Sequence, residues 1–419
     1  MSGARGHAED SSAVAVVGGG IAGLTLALAL RREGVDCTVF ERSPEPAASG
    51  AGLQLAPNAT RLLRRLGVAD ALHAVAVLPR ALRLRGWDDD RPLATTALGA
   101  ACLRTFGAPY YTVHRGQLHH VLREAVGAGR LRTGQRLTAW TEDEDGVCLT
   151  FASGARHRAG VMIGADGVHS VVRARMAGDT PVFSGSSVYR GLVPAERLPW
   201  AAGEPEIRVW PGPGRHLVCY PVSAGREISF TATVPAAVSG EESWTADGDP
   251  AELAAAYRGW NPAAVRLLAA AGPVRRWLLH DREILTDWVT PRVALLGDAA
   301  HPMLPFLAQG ANQAVEDAVT LAVCLARTGG DDAPAALRRY RDLRLPRTAL
   351  IQRGARGATR FLHRPGPAGP RASGPPPDPR GPAGLRAMSP LYGYDAEDVA
   401  EKAMREPVPG RAVSRPPVS

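Results

Sequence analysis

A glycine-rich turn between a short strand and a helix constrains this chain more than any other feature of its sequence. The run Ala13–Val17 predicts a buried strand, and a helix is predicted to follow the turn and to end at Arg32. A second strand, Cys37–Phe40, ends beside Glu41, at the spacing of an acid that accepts a hydrogen bond from a ribose hydroxyl. This order of elements predicts a dinucleotide-binding unit.

Each glycine of the turn has its own physical role in such a unit. Gly18 makes the tight turn, Gly20 lets the backbone approach a pyrophosphate, and Gly23 allows the helix to pack closely on the strand. A G-x-G-x-x-G pattern alone is also compatible with a purely structural turn. Its position between the two predicted strands favours the binding function.

The stretch Val293–Asp317, VALLGDAAHPMLPFLAQGANQAVED, is a second candidate site. Its apolar start predicts a strand that places Asp298 at the strand end, where a carboxylate can hold sugar hydroxyls. A helix predicted from about Gly310 turns its N-terminal N–H groups toward a polar, electron-rich ligand. The alternative is that Gly297-Asp298 only turns the chain and caps a helix.

The same order of strand, acid and helix occurs again at residues 161–170. The apolar strand Val161–Ile163 leads to Asp166-Gly167, and a helix is predicted to start near Ser170. Arg115, at the predicted start of another helix, carries a charge that the helix dipole disfavours unless an anion lies nearby. A solvated arginine on a surface turn is the alternative for Arg115.

The charge of the chain argues against a nucleic-acid partner. The formal net charge of +8 comes almost wholly from arginine, because Lys402 is the only lysine. The arginines are scattered, whereas nucleic-acid binding is typically indicated by a basic stripe with interleaved aromatic residues. They either attract anionic substrates and cofactors or reflect a genome that prefers arginine to lysine.

The cysteines and the N-terminal segment predict a cytoplasmic protein. Five widely spaced cysteines without a C-x-x-C pair indicate neither a disulfide framework nor a zinc site, so no metal is expected. The first apolar run is short and rich in glycine, so neither export nor a membrane span is expected.

Together the glycine turn with Glu41, the Asp166-Gly167 motif and GDAAHPMLPFLAQGANQAVED resemble the single-component FAD-dependent aromatic hydroxylases, or group A flavoprotein monooxygenases. The chain is most similar to their salicylate hydroxylase-like branch, over about residues 13–362. The resemblance implies an α/β fold, with a Rossmann-like FAD-binding domain and an inserted α+β substrate domain whose sheet is mainly antiparallel. Alternating strand patterns at 81–97 and 186–234 favour that second sheet independently.

The predicted organisation is discontinuous. Asn58 is predicted to cap a helix in the first part of the FAD-binding domain. Within the Pro/Gly-rich tail, the island Pro390–Ala396 resembles the family's C-terminal ending and could dock onto the body. The predicted division is a flexible N-terminus (1–12), an FAD-binding domain in three parts (13–75, 103–180 and 282–363, the last with the C-terminal helices), a substrate domain in two parts (76–102 and 181–281) and a mostly disordered tail (364–419).

The resemblance also assigns roles to residues at the matching positions. It implies that the turn holds the FAD pyrophosphate, that Asp298 binds the ribityl chain, and that the Pro305–Asn312 loop passes the isoalloxazine. Asp166-Gly167 is implied to serve both FAD and a transient nicotinamide cofactor. The cofactor-binding residues implied in this way are Gly18, Gly20, Gly23, Glu41, Arg42, Gln54, Arg115, Asp166, Asp298, Gly310, Ala311 and Asn312.

Two candidate catalytic residues lie in the predicted strand RHLVCYPV. His216 and Tyr220 are four apart, so the two-residue period of a strand sends both to the same face. They match the histidine and tyrosine with which relatives bind and deprotonate a substrate hydroxyl. The alternative is an exposed strand histidine and a tyrosine that packs on the sheet. Where some relatives have a polar side chain over the flavin, this chain has Pro305 and Phe306, which predicts a more apolar pocket.

The resemblance implies an enzyme that uses FAD, NADH or NADPH, and O2 to hydroxylate a phenolic or heteroaromatic substrate through a C4a-hydroperoxyflavin. His216, helped by Tyr220, would generate the phenolate. The substrate would be hydroxybenzoate-like, salicylate-like or a natural-product ring, and the protein a monomer or homodimer. The alternatives are another FAD oxidoreductase of the same fold, such as a prenyl or ring reductase or an epoxidase, and a non-catalytic flavin-binding redox protein.

Overall fold

A computed structural model describes residues 11–45, 51–236, 246–328, 332–363 and 382–406. Its strands are β1 (Ser11–Val17), β2 (Cys37–Phe40), β3 (Gly52–Leu55), β4 (Ala81–Arg85), β5 (Pro92–Ala97), β6 (Tyr111–His114), β7 (Leu131–Arg132), β8 (Leu137–Glu142), β9 (Val147–Phe151), β10 (Arg156–Gly164), β11 (Val182–Pro194), β12 (Glu206–Gly212), β13 (Arg215–Val222), β14 (Glu227–Pro235), β15 (Arg275–Asp281) and β16 (Val293–Leu295). Its helices are α1 (Ile21–Arg32), α2 (Pro57–Arg65), α3 (Ala69–Val75), α4 (Gly99–Phe106), α5 (Arg115–Val126), α6 (Val171–Met176), α7 (Pro199–Ala202), α8 (Pro250–Ala256), α9 (Pro262–Ala269), α10 (Gly310–Arg327), α11 (Ala333–Leu362), α12 (Pro382–Arg386), α13 (Ser389–Tyr392) and α14 (Ala396–Arg405).

The first sheet brings the three sequence motifs to one edge. Its order is β7-β2-β1-β10-β9-β8, with β16 also paired to β10. β1, β10 and β16 are parallel neighbours with apolar, buried centres, as strands covered on both faces require. Because the carboxyl ends of parallel strands lie together, Gly18, Asp166 and Asp298 follow neighbouring strands at the same edge.

The second sheet has the order β15-β11-β14-β13-β12-β4-β5 and is antiparallel except for the β12–β4 pair. Helices α8 and α9 cover one face, where Leu217 and Cys219 of β13 pack with Trp210. The alternate residues Val218 and Tyr220 lie on the other face, in a cluster that also contacts Phe306.

A two-stranded ribbon, β3–β6, connects the two sheets. The Gly52 N–H donates to Ser229 Oγ at 3.0 Å, and Thr112 Oγ1 donates to the Pro221 carbonyl at 2.6 Å. The open face of the second sheet therefore turns toward the motif edge of the first. The α/β fold class expected from the sequence is confirmed, and none of the described helices combines the length and apolar character needed to cross a bilayer.

The predicted cap role of Asn58 is wrong. Helix α2 begins at Pro57, a favoured first helical residue, and Ala56 occupies the cap position. The Asn58 amide instead donates to Glu316 Oε1 at 2.7 Å and to Gln309 Oε1 at 3.2 Å. Asn58 therefore joins α2 to α10.

The tail is more ordered than predicted between residues 382 and 406, where α12, α13 and α14 form. Arg61 donates to the carbonyl oxygens of Tyr392 and Tyr394, and the ring of Tyr392 packs edge-on against Phe106 and Tyr110. The island Pro390–Ala396 thus docks onto the body as the sequence analysis allowed, and order extends beyond it to residues 382–406, because contacts with partners distant in sequence outweigh the Pro/Gly-rich surroundings. The predicted flexible residues 1–10, together with 364–381 and 407–419, lie outside the described residues.

Candidate active site

The glycine turn after β1 has the shape that a bound pyrophosphate requires. Gly18 has a φ of +113°, and a Cβ there would lie 2.3 Å from the Ala165 carbonyl oxygen. A Cβ at Gly23 would lie 1.9 Å from the Gly18 carbonyl oxygen, so α1 sits directly on the turn. A Cβ at Gly20 would meet no atom within 4 Å. Gly18 and Gly23 are thus needed by the fold, whereas Gly20 leaves open space where a phosphate can approach.

Glu41 braces this turn. Its Oε2 accepts from the Gly19 N–H at 2.7 Å and its Oε1 from the Ser43 N–H at 2.8 Å. Arg42 beside it is exposed. On α5, His119 Nε2 lies 2.7 Å from the Gly19 carbonyl oxygen, a contact that the sequence analysis missed. His119 lies one helical turn after Arg115, so the four-residue spacing could have indicated that both side chains lie on the same face of α5.

Asp166 follows β10 at the same edge. Its Oδ2 accepts from the Val171 N–H at 2.8 Å, at the start of α6, while Ser170 caps that helix. Its Oδ1 is buried and has no hydrogen-bond partner among the described residues. Burial raises the pKa of Asp166. A ligand hydroxyl would satisfy the unpartnered oxygen.

Asp298 follows β16 and faces the start of α10. Burial raises the pKa of its carboxyl, and the nearby charges of His301 and Arg115 partly oppose this shift. Its Oδ1 lies 3.6 Å from the position of a Cβ on Gly310. Gly310, Ala311 and Asn312 form the first turn of α10, whose N–H groups have no acceptor within the helix. The carboxylate and these N–H groups face one space from two sides.

Asn312 and Gln54 connect that helix start to the β3–β6 ribbon. Asn312 Oδ1 accepts from the Ala56 N–H at 2.8 Å, and its Nδ2 donates to the Gln54 carbonyl oxygen at 3.0 Å. The Gln54 Oε1 accepts from the Tyr110 hydroxyl at 2.7 Å. The side chain of Asn312 is therefore structural, and its backbone N–H is what it can offer a ligand.

A buried ionic cluster, which the sequence analysis did not predict, supports the loop after Asp298. Asp317 accepts from His301 Nε2 and Arg344 Nε, each at 2.6 Å, and from the Gly297 N–H at 3.0 Å. Glu316 accepts from Arg344 Nη1 at 2.6 Å. Burial by itself raises the pKa of Asp317, but His301 and Arg344 outweigh it and lower that pKa to about 2. Asp317 therefore remains ionised, and its hydrogen bonds hold the Gly297–His301 segment against α10 and α11.

His216 and Tyr220 lie on the open face of the second sheet and are 3% and 5% exposed. The ring of His216 contacts the ring of Phe306 with 5.2 Å between centroids. Tyr220 lies against Gly52, and Gln54 and Ser229 hydrogen-bond to its hydroxyl. The structure thus brings both residues against the β3 strand and the Pro305–Leu307 turn.

Arg190 lines a cavity between the second sheet and the Asp298 loop. Trp277 of β15, Asp298 and Pro305 also line it. The guanidinium stacks on Trp277 at 4.8 Å from the ring centroid, and its Nε is buried without a hydrogen-bond partner. Within the described part of the chain, its side chain forms no ion pair with a carboxylate. Burial lowers the pKa of Arg190.

These features fit FAD, because open space at Gly20, an unpartnered Asp166 oxygen and a free helix start lie along one edge. The profile of the family described as FAD binding domain matches residues 11–355. The chain therefore belongs to this FAD-binding family.

Curated relatives narrow the class further. The chain is 46% identical to "3-amino-4-hydroxybenzoate 2-monooxygenase" of Streptomyces platensis, over 85% of this chain and 90% of the relative. It is 36% identical to "6-hydroxynicotinate 3-monooxygenase" of Bordetella bronchiseptica, over 81% of this chain and 89% of the relative. The solved "Salicylate hydroxylase substrate complex" has a TM-score of 0.78 and 29% identity, covering 95% of this chain and 99% of that one. The protein is an FAD-dependent aromatic monooxygenase, as its resemblance to the family implied.

Proposed function

We propose that this monooxygenase hydroxylates a small phenolic or heteroaromatic ring that carries a carboxylate. In this proposal Arg190 binds the carboxylate, while His216 and Tyr220 bind the ring hydroxyl. The observation that carries the proposal is the side chain of Arg190, a cation that lines the cavity without an acidic partner among the described residues.

The positive charge of Arg190 carries a desolvation cost. The side chain of Arg190 is half-buried and its Nε is fully buried; a cation withdrawn from water in this way is costly unless an anion or hydrogen-bond acceptors compensate it, and stacking on Trp277 supplies only part of this compensation. The planar guanidinium matches a carboxylate through two parallel hydrogen bonds. A substrate carboxylate would therefore gain binding energy at Arg190 that a neutral ring could not.

The protonation states of His216 and Tyr220 support their proposed binding of the substrate hydroxyl. Burial and the neighbouring His363 lower the pKa of His216 to about 3, so its imidazole is neutral near pH 7 and offers a nitrogen lone pair that can accept a hydrogen bond from the substrate hydroxyl. Burial raises the pKa of Tyr220, so its hydroxyl remains protonated and can donate a hydrogen bond to a phenolate.

The names of the relatives are consistent with this substrate class. 3-Amino-4-hydroxybenzoate, 6-hydroxynicotinate and 3-hydroxybenzoate each combine an aromatic ring, a hydroxyl and a carboxylate. Bound FAD would supply the oxygen chemistry, with electrons from NADH or NADPH. The chain itself would orient the ring, and the apolar side chain of Phe306 beside His216 would help to exclude water.

The test is nicotinamide oxidation by the FAD-loaded protein in oxygenated buffer, with hydrogen peroxide titrated in parallel and both NADH and NADPH supplied. The compounds are 3-amino-4-hydroxybenzoate, 3-hydroxybenzoate, 6-hydroxynicotinate and salicylate, each paired with its analogue lacking the carboxylate. We expect one carboxylated compound to stimulate oxidation with little peroxide. His216→Ala should abolish the coupling of oxidation to hydroxylation.

Arg190→Met should raise KM for the carboxylated compound by at least about ten- to 150-fold, the worth of one charge-assisted hydrogen bond. It should leave the weak activity on the analogue unchanged. Arg338→Met, which removes an exposed arginine, is the matched control. Equal KM changes for both compounds would refute the role of Arg190. A slow basal rate with every compound would refute the proposed substrate class.

We also infer a cytoplasmic location, a monomer or homodimer, and transient binding of the nicotinamide cofactor near Asp166-Gly167. The cysteine pattern supports the cytoplasmic location, and the single dinucleotide fingerprint supports a nicotinamide cofactor that binds only transiently. Size-exclusion chromatography with light scattering tests the oligomeric state.

A further inference from the structure

A second histidine lies directly behind His216. His363 follows the C-terminal end of α11, and its Nε2 is 2.9 Å from His216 Nδ1. The two rings are 5.1 Å apart, and the ring of Phe306 packs edge-on against both. The two residues are 147 apart in sequence, so the contact arises only because α11 ends over the open face of the second sheet.

The hydrogen bond between His216 and His363 limits which ring nitrogens can carry a proton. Two neutral imidazoles can bond at this distance only if one nitrogen carries the proton and the other offers its lone pair. If His216 Nδ1–H donates to His363 Nε2, then His216 Nε2 keeps a lone pair and can act as a base. The opposite arrangement would place a proton on His216 Nε2 and block it.

We propose that His216 and His363 form a proton relay that carries the substrate hydroxyl proton out of the active site. The proposal rests on the proposed function, in which His216 is the base. The substrate O–H bond breaks as His216 Nε2 gains that proton. The His216 Nδ1–H bond breaks as His363 Nε2 gains its proton, and His363 Nδ1–H passes a proton to water. The net change is one phenol converted to phenolate and one proton released; reverse exchange with water restores both tautomers after the product leaves.

The surroundings of His216 and His363 favour transfer of the proton to solvent over its retention on His216. Burial strongly disfavours a charged His216, and His363 is its one charged or titratable neighbour that acts on it within the described chain. The other groups around the ring are uncharged: Thr233 Oγ1 lies 3.2 Å from Nδ1 and 3.5 Å from Nε2, and Phe306 closes one side. His363 is less buried than His216 and stands at a helix C-terminus, where the dipole favours a cation, although burial lowers the pKa of His363 as well.

The first experiment compares His363→Gln with the unmodified enzyme, both loaded with FAD. Glutamine keeps a side chain that can hydrogen-bond to His216, but it cannot accept a proton at one atom and release another. Stopped-flow absorbance follows conversion of the bound substrate to its phenolate. We expect the rate to fall at least about tenfold, within the range for a lost acid–base group, with little change in substrate Kd. His120→Gln, at an exposed histidine, is the matched control.

Two further measurements keep the proposal testable if His363→Gln folds poorly. Added imidazole should restore the phenolate rate of His363→Ala in proportion to its concentration, which a merely structural role would not predict. In the unmodified enzyme, the rate should depend on the D2O fraction along a bowed curve, because two protons move together.

The outcomes separate the relay from the proposed function. If His363→Gln forms phenolate at the unmodified rate, or if imidazole gives no rescue and the D2O dependence is linear, the relay is wrong. In that case His216→Ala still abolishes coupled hydroxylation. If the unmodified enzyme forms no phenolate with any of the carboxylated phenols, or if His216→Ala keeps coupled turnover, the proposed function itself fails.

Discussion

The replacement Gly20→Ala, which adds a single methyl group, is predicted to weaken FAD binding while it leaves the stability of the fold nearly unchanged. Gly20 has a φ of −77° and a ψ of −172°, which alanine adopts without strain, and its added Cβ meets no atom within 4 Å. The free energy of unfolding of the apoprotein should therefore change by less than about 1 kcal/mol, because the lower unfolded-state entropy of alanine offsets the loss of glycine at the N-cap of α1.

The expected cost falls on FAD binding. The methyl group would occupy the space through which the backbone approaches the pyrophosphate. Loss of one hydrogen bond to a charged phosphate oxygen costs about 1.5–3 kcal/mol. The FAD Kd should then rise by about ten- to 150-fold. Isothermal titration of the apoprotein with FAD measures this change, and urea unfolding of the same samples measures stability.

Two other glycines serve as comparisons. Gly23→Ala places its Cβ 1.9 Å from the Gly18 carbonyl oxygen, so it should lower both stability and FAD affinity. Gly129→Ala, in the exposed turn Ala128–Arg130 after α5, adds the same methyl group into open space; it should leave FAD affinity unchanged and alter stability by no more than about 1 kcal/mol. An unchanged FAD Kd for Gly20→Ala, or a stability loss equal to that of Gly23→Ala, would refute the reasoning.

Three further predictions concern the interior and the tail. Arg344→Met should lower the free energy of unfolding by about 3 kcal/mol, because it removes the buried guanidinium that Glu316 and Asp317 share and leaves each carboxylate with a single cationic partner, Arg347 or His301; Arg341→Met, at a surface ion pair, should cost less than about 1 kcal/mol in the same urea titration. The pKa of Asp317 is lowered from 3.8 to about 2, so its contribution to stability should be present above pH 3.8 and lost as the pH falls through about 2; urea titrations across this range should give a flatter pH profile for Asp317→Asn. Tyr392→Ala should cost about 3 kcal/mol, measured by thermal unfolding, because this buried ring packs against Phe106 of α4 and against Tyr110.

Local errors in the sequence-based interpretation have local causes. Asn58 has the side chain of a helix cap, but the preceding Pro57 is better suited to start the helix, and the structure uses Asn58 to reach Glu316 instead. The tail composition predicted disorder, yet Arg61 and two neighbouring aromatic rings bind the Tyr392 segment. In both cases a partner distant in sequence outweighed a local preference.

The sequence by itself determined the cofactor edge, because each motif there is local. Gly18, Asp166 and Asp298 each follow an apolar strand, and parallel strands bring their carboxyl ends together without further information. The two-residue period of β13 likewise put His216 and Tyr220 on one face.

Only the tertiary structure decided which groups those residues meet. His363 beside His216, Arg344 beside Asp317, and Arg190 without an acidic partner are properties of elements that lie far apart in the chain. No periodicity or composition specifies such pairs, since they depend on how α11 and the second sheet pack against the first. The same packing buries these groups, and burial is what shifts their pKa values.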